Sequence, residues 1–101
     1  MKEAFKSEPN FRIHSLSAVI VLILGLYFKI SLTEWTILVL TIMGVICLEL
    51  VNTAIESVVD MVSPKFSRLA KIAKDVSAAA VLISSLAAIA VGVLIFLPKI
   101  I

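Results

Sequence analysis

Three long apolar stretches dominate the pattern of hydrophobic and polar positions along the chain. The first covers about residues 15–32, and the third covers about 77–97 without a single charge. The second opens at Trp35, is free of charge from 37 to 48, and continues as a helix to about residue 62 while it acquires charges. An apolar helix of roughly 20 residues spans the hydrocarbon core of a bilayer. The pattern therefore predicts three membrane-spanning helices at 15–32, 35–62 and 77–97.

The segments outside these stretches are short. Residues 1–14 carry five charges, two Phe and one Pro, which is typical of a short interfacial segment lying along the membrane surface. No small-residue cleavage site follows the first apolar stretch, so we expect that stretch to be retained rather than removed as a signal peptide. The connection at 29–34 predicts an antiparallel pair of helices. The whole chain, 1–101, is interpreted as a single membrane-embedded domain.

Composition supports a membrane environment. Hydrophobic residues make up 61% of the chain and charged residues 16%, whereas a soluble domain has about 45–50% and about 25%. These values exclude a disordered segment and most soluble domains. The lone Cys47 excludes an internal disulfide and a cysteine-based metal cluster.

The basic residues predict the orientation in the membrane. Seven of the nine precede the first apolar stretch or separate the second from the third: Lys2, Lys6, Arg12, Lys65, Arg68, Lys71 and Lys74. By the positive-inside rule this side is cytoplasmic. We therefore expect a multi-pass protein of the cell membrane with its amino terminus in the cytoplasm, the compartment that holds ATP.

A stripe of polar side chains runs along the second predicted helix. At about 100° per residue, Glu49, Asn52, Glu56 and Asp60 fall within roughly 80° of one another on one helix face. A carboxylate deep in a bilayer costs about 2.5–3.5 kcal/mol, so three aligned carboxylates require partners or a function. The stripe is therefore a candidate functional site.

Oxygen ligands of this kind suit a hard cation such as Mg²⁺, which proteins usually hold with one or two carboxylates together with phosphate oxygens. A remaining carboxylate can accept a proton from a hydroxyl substrate. Lys74, beside Asp75, can offset phosphate charge. Together these groups would supply phosphoryl transfer, in which a protein mainly positions groups and stabilises charge.

Two non-enzymatic interpretations remain open at this point. Polar residues in spans also hold helices together or line ion paths, so a structural or conducting stripe fits the spacing as well as catalysis does. The chain lacks G-x-x-x-x-G-K-[ST] and G-x-G-x-x-G motifs, which excludes the known soluble nucleotide folds but does not decide the matter. The alternatives are an oligomer that conducts or exports cations and a small structural subunit of a larger membrane complex.

Two motifs carry a family resemblance. The pattern E-x-x-N-x-x-x-E-x-x-x-D at 49–60 is followed, after a fixed interval, by AKDVSAAAVL at 73–82. Together they resemble the signature of the small integral-membrane prokaryotic diacylglycerol kinase family, which includes undecaprenol kinases. The resemblance covers residues 2–97.

This resemblance implies an all-α membrane protein that assembles as a homotrimer, with three spans and a surface helix per subunit and active sites shared between subunits. It implies transfer of the γ-phosphate of ATP to a lipid hydroxyl, of undecaprenol or diacylglycerol, with Mg²⁺ as cofactor and no nucleic acid as partner. The stretch 92–98 is more similar to the Gram-positive branch, where undecaprenol is the usual substrate, and favours undecaprenol.

The resemblance also implies residue roles by position. Glu49 resembles the general base that faces the lipid hydroxyl, and Glu49 and Ala78 are expected to contact the substrate. Glu56 resembles a metal-coordinating glutamate whose partner, Glu8, comes from the surface segment. The implied nucleotide-binding residues are Glu8, Asn52, Glu56, Asp60, Lys74 and Asp75.

Two expectations concern the amino-terminal region. Family members usually have further residues before the stretch matching 2–5, which form the start of the surface helix and contribute to the nucleotide pocket. We therefore expect either that the start of this sequence is misassigned or truncated, or that the protein closes its ATP site differently. His14 is interpreted as a polar anchor at the membrane interface, in preference to a proton carrier.

Overall fold

The computed structural model describes residues 9–62 and 67–101, with side chains from Phe11 onward. These residues form three helices: α1 (Pro9–Phe28), α2 (Leu32–Val62) and α3 (Arg68–Ile100). Each is long and apolar enough to cross a membrane. The prediction of an all-α fold with three helices of membrane-spanning length is confirmed for the described residues. Most of the predicted surface helix, including Glu8, lies outside the described residues.

Helix α1 occupies a different range from the one that hydrophobicity predicts. It begins at Pro9, because proline suits the first turn of a helix, where its missing N–H has no partner to lose. Residues 9–14 are therefore continuous with the first span. The helix ends at Phe28, where Lys29 adopts the left-handed backbone region with φ 52°.

The turn after α1 is stabilised by two backbone hydrogen bonds. The N–H of Ile30 donates to the carbonyl of Gly25 at 3.2 Å, and the N–H of Lys29 donates to the carbonyl of Leu26 at 3.4 Å. This is the Schellman arrangement, which satisfies the last carbonyls of a helix and redirects the chain. It allows α2 to begin after only three residues, antiparallel to α1.

A capping box fixes the start of α2 at Leu32, three residues before the predicted start. The Glu34 N–H donates to Ser31 Oγ at 3.1 Å, and the Ser31 N–H donates to Glu34 Oε1 at 2.9 Å. The second oxygen of Glu34 accepts a hydrogen bond from Lys99 Nζ at 2.7 Å. The beginning of α2 is thereby tied to the end of α3.

Helix α3 begins at Arg68, nine residues before the apolar stretch. Ser67 caps it, because its Oγ accepts a hydrogen bond from the Ala70 N–H at 3.0 Å. Lys71 and Asp75, one turn apart, form an ion pair at 2.9 Å along the exposed side of this polar segment. The cap therefore extends α3 through residues that hydrophobicity alone assigns to a connection.

The three helices pack around a small core near the first connection. Helix α3 packs along α2 more extensively than either packs against α1. The buried residues of this core are Ile30, Leu38, Ile95 and Phe96. Most other large apolar side chains point outward, as expected where the surroundings are lipid or neighbouring chains rather than water. The polar stripe lies at the other end of the α2–α3 pair.

Candidate active site

The centre of the polar stripe is Asn52, which α2 presents to α3. Its side chain is 8% exposed. Its Oδ1 accepts a hydrogen bond from Ser77 Oγ at 2.6 Å, and its Nδ2 lies 3.4 Å from Glu56 Oε1. A single amide therefore links α3 to the carboxylate one turn further along α2.

Among the carboxylates that the structure describes, Glu49 is the most deeply buried, with 2% of its side chain exposed. Its Oε2 lies 3.8 Å from His14 Nε2 on α1. Its backbone carbonyl accepts a hydrogen bond from Thr53 Oγ1 at 3.1 Å. Glu49, at the buried end of the stripe, therefore lies beside α1.

The outer end of the stripe carries an ion pair. Lys74 Nζ on α3 donates to Asp60 Oδ1 on α2, and the two side chains are 38% and 64% exposed. An exposed pair of this kind contributes little to stability, typically about 0.2–1 kcal/mol. The position of the pair matters more, because it places the Lys74 ammonium group at the exposed end of the stripe of carboxylate and amide oxygens.

Of the residues predicted to form the site, the structure brings together Glu49, Asn52, Glu56, Asp60 and Lys74. Asp75 is exposed and forms its ion pair with Lys71 of the same helix. Ala78 is exposed on α3, next to Ser77. Glu8 falls outside the described residues.

Sequence reasoning missed two residues of this region. Ser77 is absent from the predicted site, yet it lies three positions after Lys74, on the same face of α3, once the helix is known to begin at Arg68. His14 was interpreted as an interface anchor. Only the packing of α1 on α2 places it beside Glu49, and no sequence pattern signals that contact.

The donor set of the stripe suits Mg²⁺. In the two described segments, no three acidic, histidine or cysteine side chains form a closed metal cluster. A magnesium ion at a nucleotide site needs only one or two carboxylates, because waters and phosphate oxygens complete its shell. Glu56 is partly buried and offers a carboxylate beside the Asn52 amide, so the residues present fit such an ion.

Comparison with known proteins now identifies the family. Residues 1–96 match the family model described as prokaryotic diacylglycerol kinase. The undecaprenol kinase of Bacillus subtilis (strain 168) is 45% identical over 97 residues, which are 96% of this chain and 79% of that protein. The diacylglycerol kinase of Synechocystis is 44% identical over 96 residues, 94% of this chain but 55% of that protein. The diacylglycerol kinase of Escherichia coli (strain K12) is 28% identical over 89 residues, 88% of this chain and 73% of that protein. The resemblance inferred from the two motifs is confirmed: the chain belongs to the prokaryotic diacylglycerol kinase family and is a lipid kinase.

Proposed function

We propose that this lipid kinase transfers the γ-phosphoryl group of ATP to the hydroxyl of a membrane lipid alcohol at the cytoplasmic face of the cell membrane. The observation that carries the proposal is the gradient of exposure along the stripe. Glu49 is 2% exposed, whereas Asp60, about 16 Å further along the helix axis, is 64% exposed. One helix face can therefore meet a lipid hydroxyl at its buried end and a water-soluble nucleotide at its open end.

Glu49 is the proposed general base. The lipid oxygen forms a bond to the γ-phosphorus, the bond from that phosphorus to the β–γ bridging oxygen breaks, and ADP leaves with the electron pair. The hydroxyl proton passes to the Glu49 carboxylate. A buried position supports this role, because water that would compete as the phosphoryl acceptor has little access to Glu49.

An apolar cavity of about 110 Å³ adjoins the buried end of the stripe. His14 and Val45, one helical turn from Glu49, lie on its lining, and α3 contributes Ala88 and Gly92. Its apolar walls suit a segment of a hydrocarbon chain. We propose that the lipid acceptor places part of its chain here and its hydroxyl at Glu49, with Ala78 from a neighbouring subunit as a further contact.

The open end is the proposed nucleotide site. Lys74 exchanges its bond with Asp60 for phosphate oxygens and offsets their charge, and Asn52 belongs to the same site. Glu56, with Glu8, would hold Mg²⁺, which when bound neutralises charge on the phosphate oxygens. The basic residues Arg68, Lys71 and Lys74 at this end of the molecule support a cytoplasmic location and a cytoplasmic amino terminus.

We further propose that the active protein is a homotrimer whose active sites are shared between subunits. Asp75 and Ala78 are exposed and lie outside the stripe of their own chain, which supports a contribution from these residues to a neighbouring subunit's site. Cross-linking in native membranes tests the assembly, and a maximum product of two chains contradicts it.

The acceptor is proposed to be undecaprenol in preference to diacylglycerol, since the stretch 92–98 is more similar to the branch that uses undecaprenol. The test presents both lipids side by side, in mixed micelles with Mg²⁺ and ATP. It uses the 101-residue chain and a version extended at the amino terminus. Undecaprenol is expected to be phosphorylated faster. If neither lipid is phosphorylated and reconstituted vesicles pass cations without ATP, the conducting alternative is correct.

A further inference from the structure

His14 and Glu49 form a contact between α1 and α2 that the proposed kinase mechanism does not yet use. The Nε2 and Oε2 atoms are 3.8 Å apart. Hydrogen bonds of catalytic groups are often long without substrate and shorten when it binds. The two side chains differ in access to water, since His14 is 21% exposed and Glu49 is 2% exposed.

A base at the position of Glu49 has to lose its proton after each turnover. Its 2% exposure means that bulk water collects that proton slowly. Histidine is the side chain whose charge changes near neutral pH, which makes it the usual proton carrier in proteins. His14 is both adjacent to the base and better exposed, so it lies where a carrier is needed.

We propose, on the basis of the function above, that His14 is a positioning residue that acts through Glu49, by accepting the proton that Glu49 takes from the lipid hydroxyl. Glu49 first takes the proton of the lipid hydroxyl and becomes neutral. The Nε2 lone pair of neutral His14 then takes that proton, which regenerates the carboxylate and leaves an imidazolium. The imidazolium releases the proton to water at the membrane surface, and both groups return to their starting states.

Among the described residues, few other titratable groups lie near this contact. On α1 the nearest in sequence is Arg12, which is exposed. On α2 the neighbours of Glu49 are Cys47, which is exposed, and Glu56, two turns further along. The sequence of α3 contains no ionisable residue between Asp75 and Lys99. Within the described residues, the effects of the His14–Glu49 contact can therefore be separated from those of the exposed charges on the same helices.

Nuclear magnetic resonance tests the contact without any need for activity. His14 is the only histidine in the chain, so the protein purified without a histidine tag gives one set of imidazole signals. At fixed pH the imidazole nitrogen shifts are expected to change in Glu49→Gln and to stay unchanged in Cys47→Ser. Unchanged shifts in Glu49→Gln overturn the proposal.

Kinetics test the proton transfer. His14→Ala is expected to lower kcat about tenfold or more and to leave the KM for ATP unchanged. Added imidazole is expected to restore its rate in proportion to concentration, because a free base replaces the missing one. The rates of the wild type and of Arg12→Gln, which removes a nearby exposed charge, are expected not to respond to imidazole.

The outcomes separate the two proposals. If the wild type phosphorylates lipid but His14→Ala keeps the full rate, or loses rate that imidazole does not restore, the role of His14 is overturned and the kinase assignment stands. If the wild type phosphorylates neither lipid, the proposed function fails and the proton transfer fails with it, even where resonance shows the contact.

Discussion

Asn52 on α2 accepts a hydrogen bond from Ser77 on α3, with 2.6 Å between Oδ1 and Oγ. This contact lies within the apolar part of the helix pair and fixes the two helices in rotation and in register. Lys74, one turn before Ser77, then reaches Asp60, two turns after Asn52. The arrangement of the open end of the site therefore depends on a polar contact further inside the bundle.

The Asn52–Ser77 hydrogen bond is expected to couple the two residues energetically. Side-chain hydrogen bonds between membrane helices average about 0.6 kcal/mol, with a maximum of about 1.7. A double-mutant cycle of Asn52→Ala and Ser77→Ala, measured by unfolding in mixed micelles, is expected to give a coupling energy in this range. Ser84→Ala is the matched control, because Ser84 Oγ bonds the Val81 carbonyl of its own helix at 2.9 Å. A coupling energy of zero would show that the contact does not join the helices.

Lys74 is expected to affect nucleotide binding more than the chemical step. A hydrogen bond to a charged group contributes about 1.5–3 kcal/mol, so Lys74→Met is expected to raise the KM for ATP about ten- to hundredfold. Lys99→Met is the control on the same helix, since Lys99 pairs with Glu34 at the opposite end of α3 and is expected to change KM by less than about twofold. Steady-state assays at saturating lipid measure both values. Equal effects of the two variants on the KM for ATP would show that Lys74 acts only through the overall positive charge of the protein.

Glu56 is expected to determine the metal requirement. Glu56→Gln removes a negative ligand, so the concentration of Mg²⁺ needed for half-maximal rate is expected to rise at least about tenfold. Titration of Mg²⁺ at fixed ATP measures this shift. Glu34→Gln, which alters an acidic residue of the same helix at the far end, is expected to leave the requirement unchanged. An unaltered Mg²⁺ dependence in Glu56→Gln would show that Glu56 does not bind the metal.

Gly25 is expected to tolerate no side chain. A Cβ at this position would lie 2.7 Å from Trp35 Cη2 and 3.2 Å from Ile30 Cδ1, so Gly25→Ala forces the ring away from α1. Overpacking of this kind typically costs about 1–3 kcal/mol. Gly44→Ala is the control, because a Cβ there meets nothing within 4 Å. Thermal unfolding in detergent is expected to show a lower midpoint for Gly25→Ala and an equal or higher one for Gly44→Ala.

The sequence predicts the main features of the fold because the bilayer imposes them. A membrane-spanning helix needs a long run of apolar residues, so it is easily recognised in the sequence. Polar residues that recur at helical spacing within such a run are easily recognised too. The helix ends were less predictable, since they depend on local contacts. Ser67 extends α3 by two turns before its apolar part, and Lys29 ends α1 in a backbone conformation that its residue type rarely adopts.

The site was predictable along one helix and less so between helices. Glu49, Asn52 and Glu56 share a face of α2 by spacing alone. The roles of Ser77 and His14 depend on which faces of α3 and α1 meet that stripe, and this depends on side-chain packing rather than on periodicity.

Phosphoryl transfer by Glu49→Gln tests the central claim most directly. The variant keeps the size of the side chain and removes the base. With radiolabelled ATP and saturating undecaprenol, its kcat is expected to fall by about 10²–10⁴-fold while the KM for ATP changes little. Glu34→Gln, the acidic control in α2, is expected to keep kcat within about twofold. A Glu49→Gln enzyme that labels lipid at the wild-type rate would contradict the account, because the buried carboxylate would then have no part in the reaction.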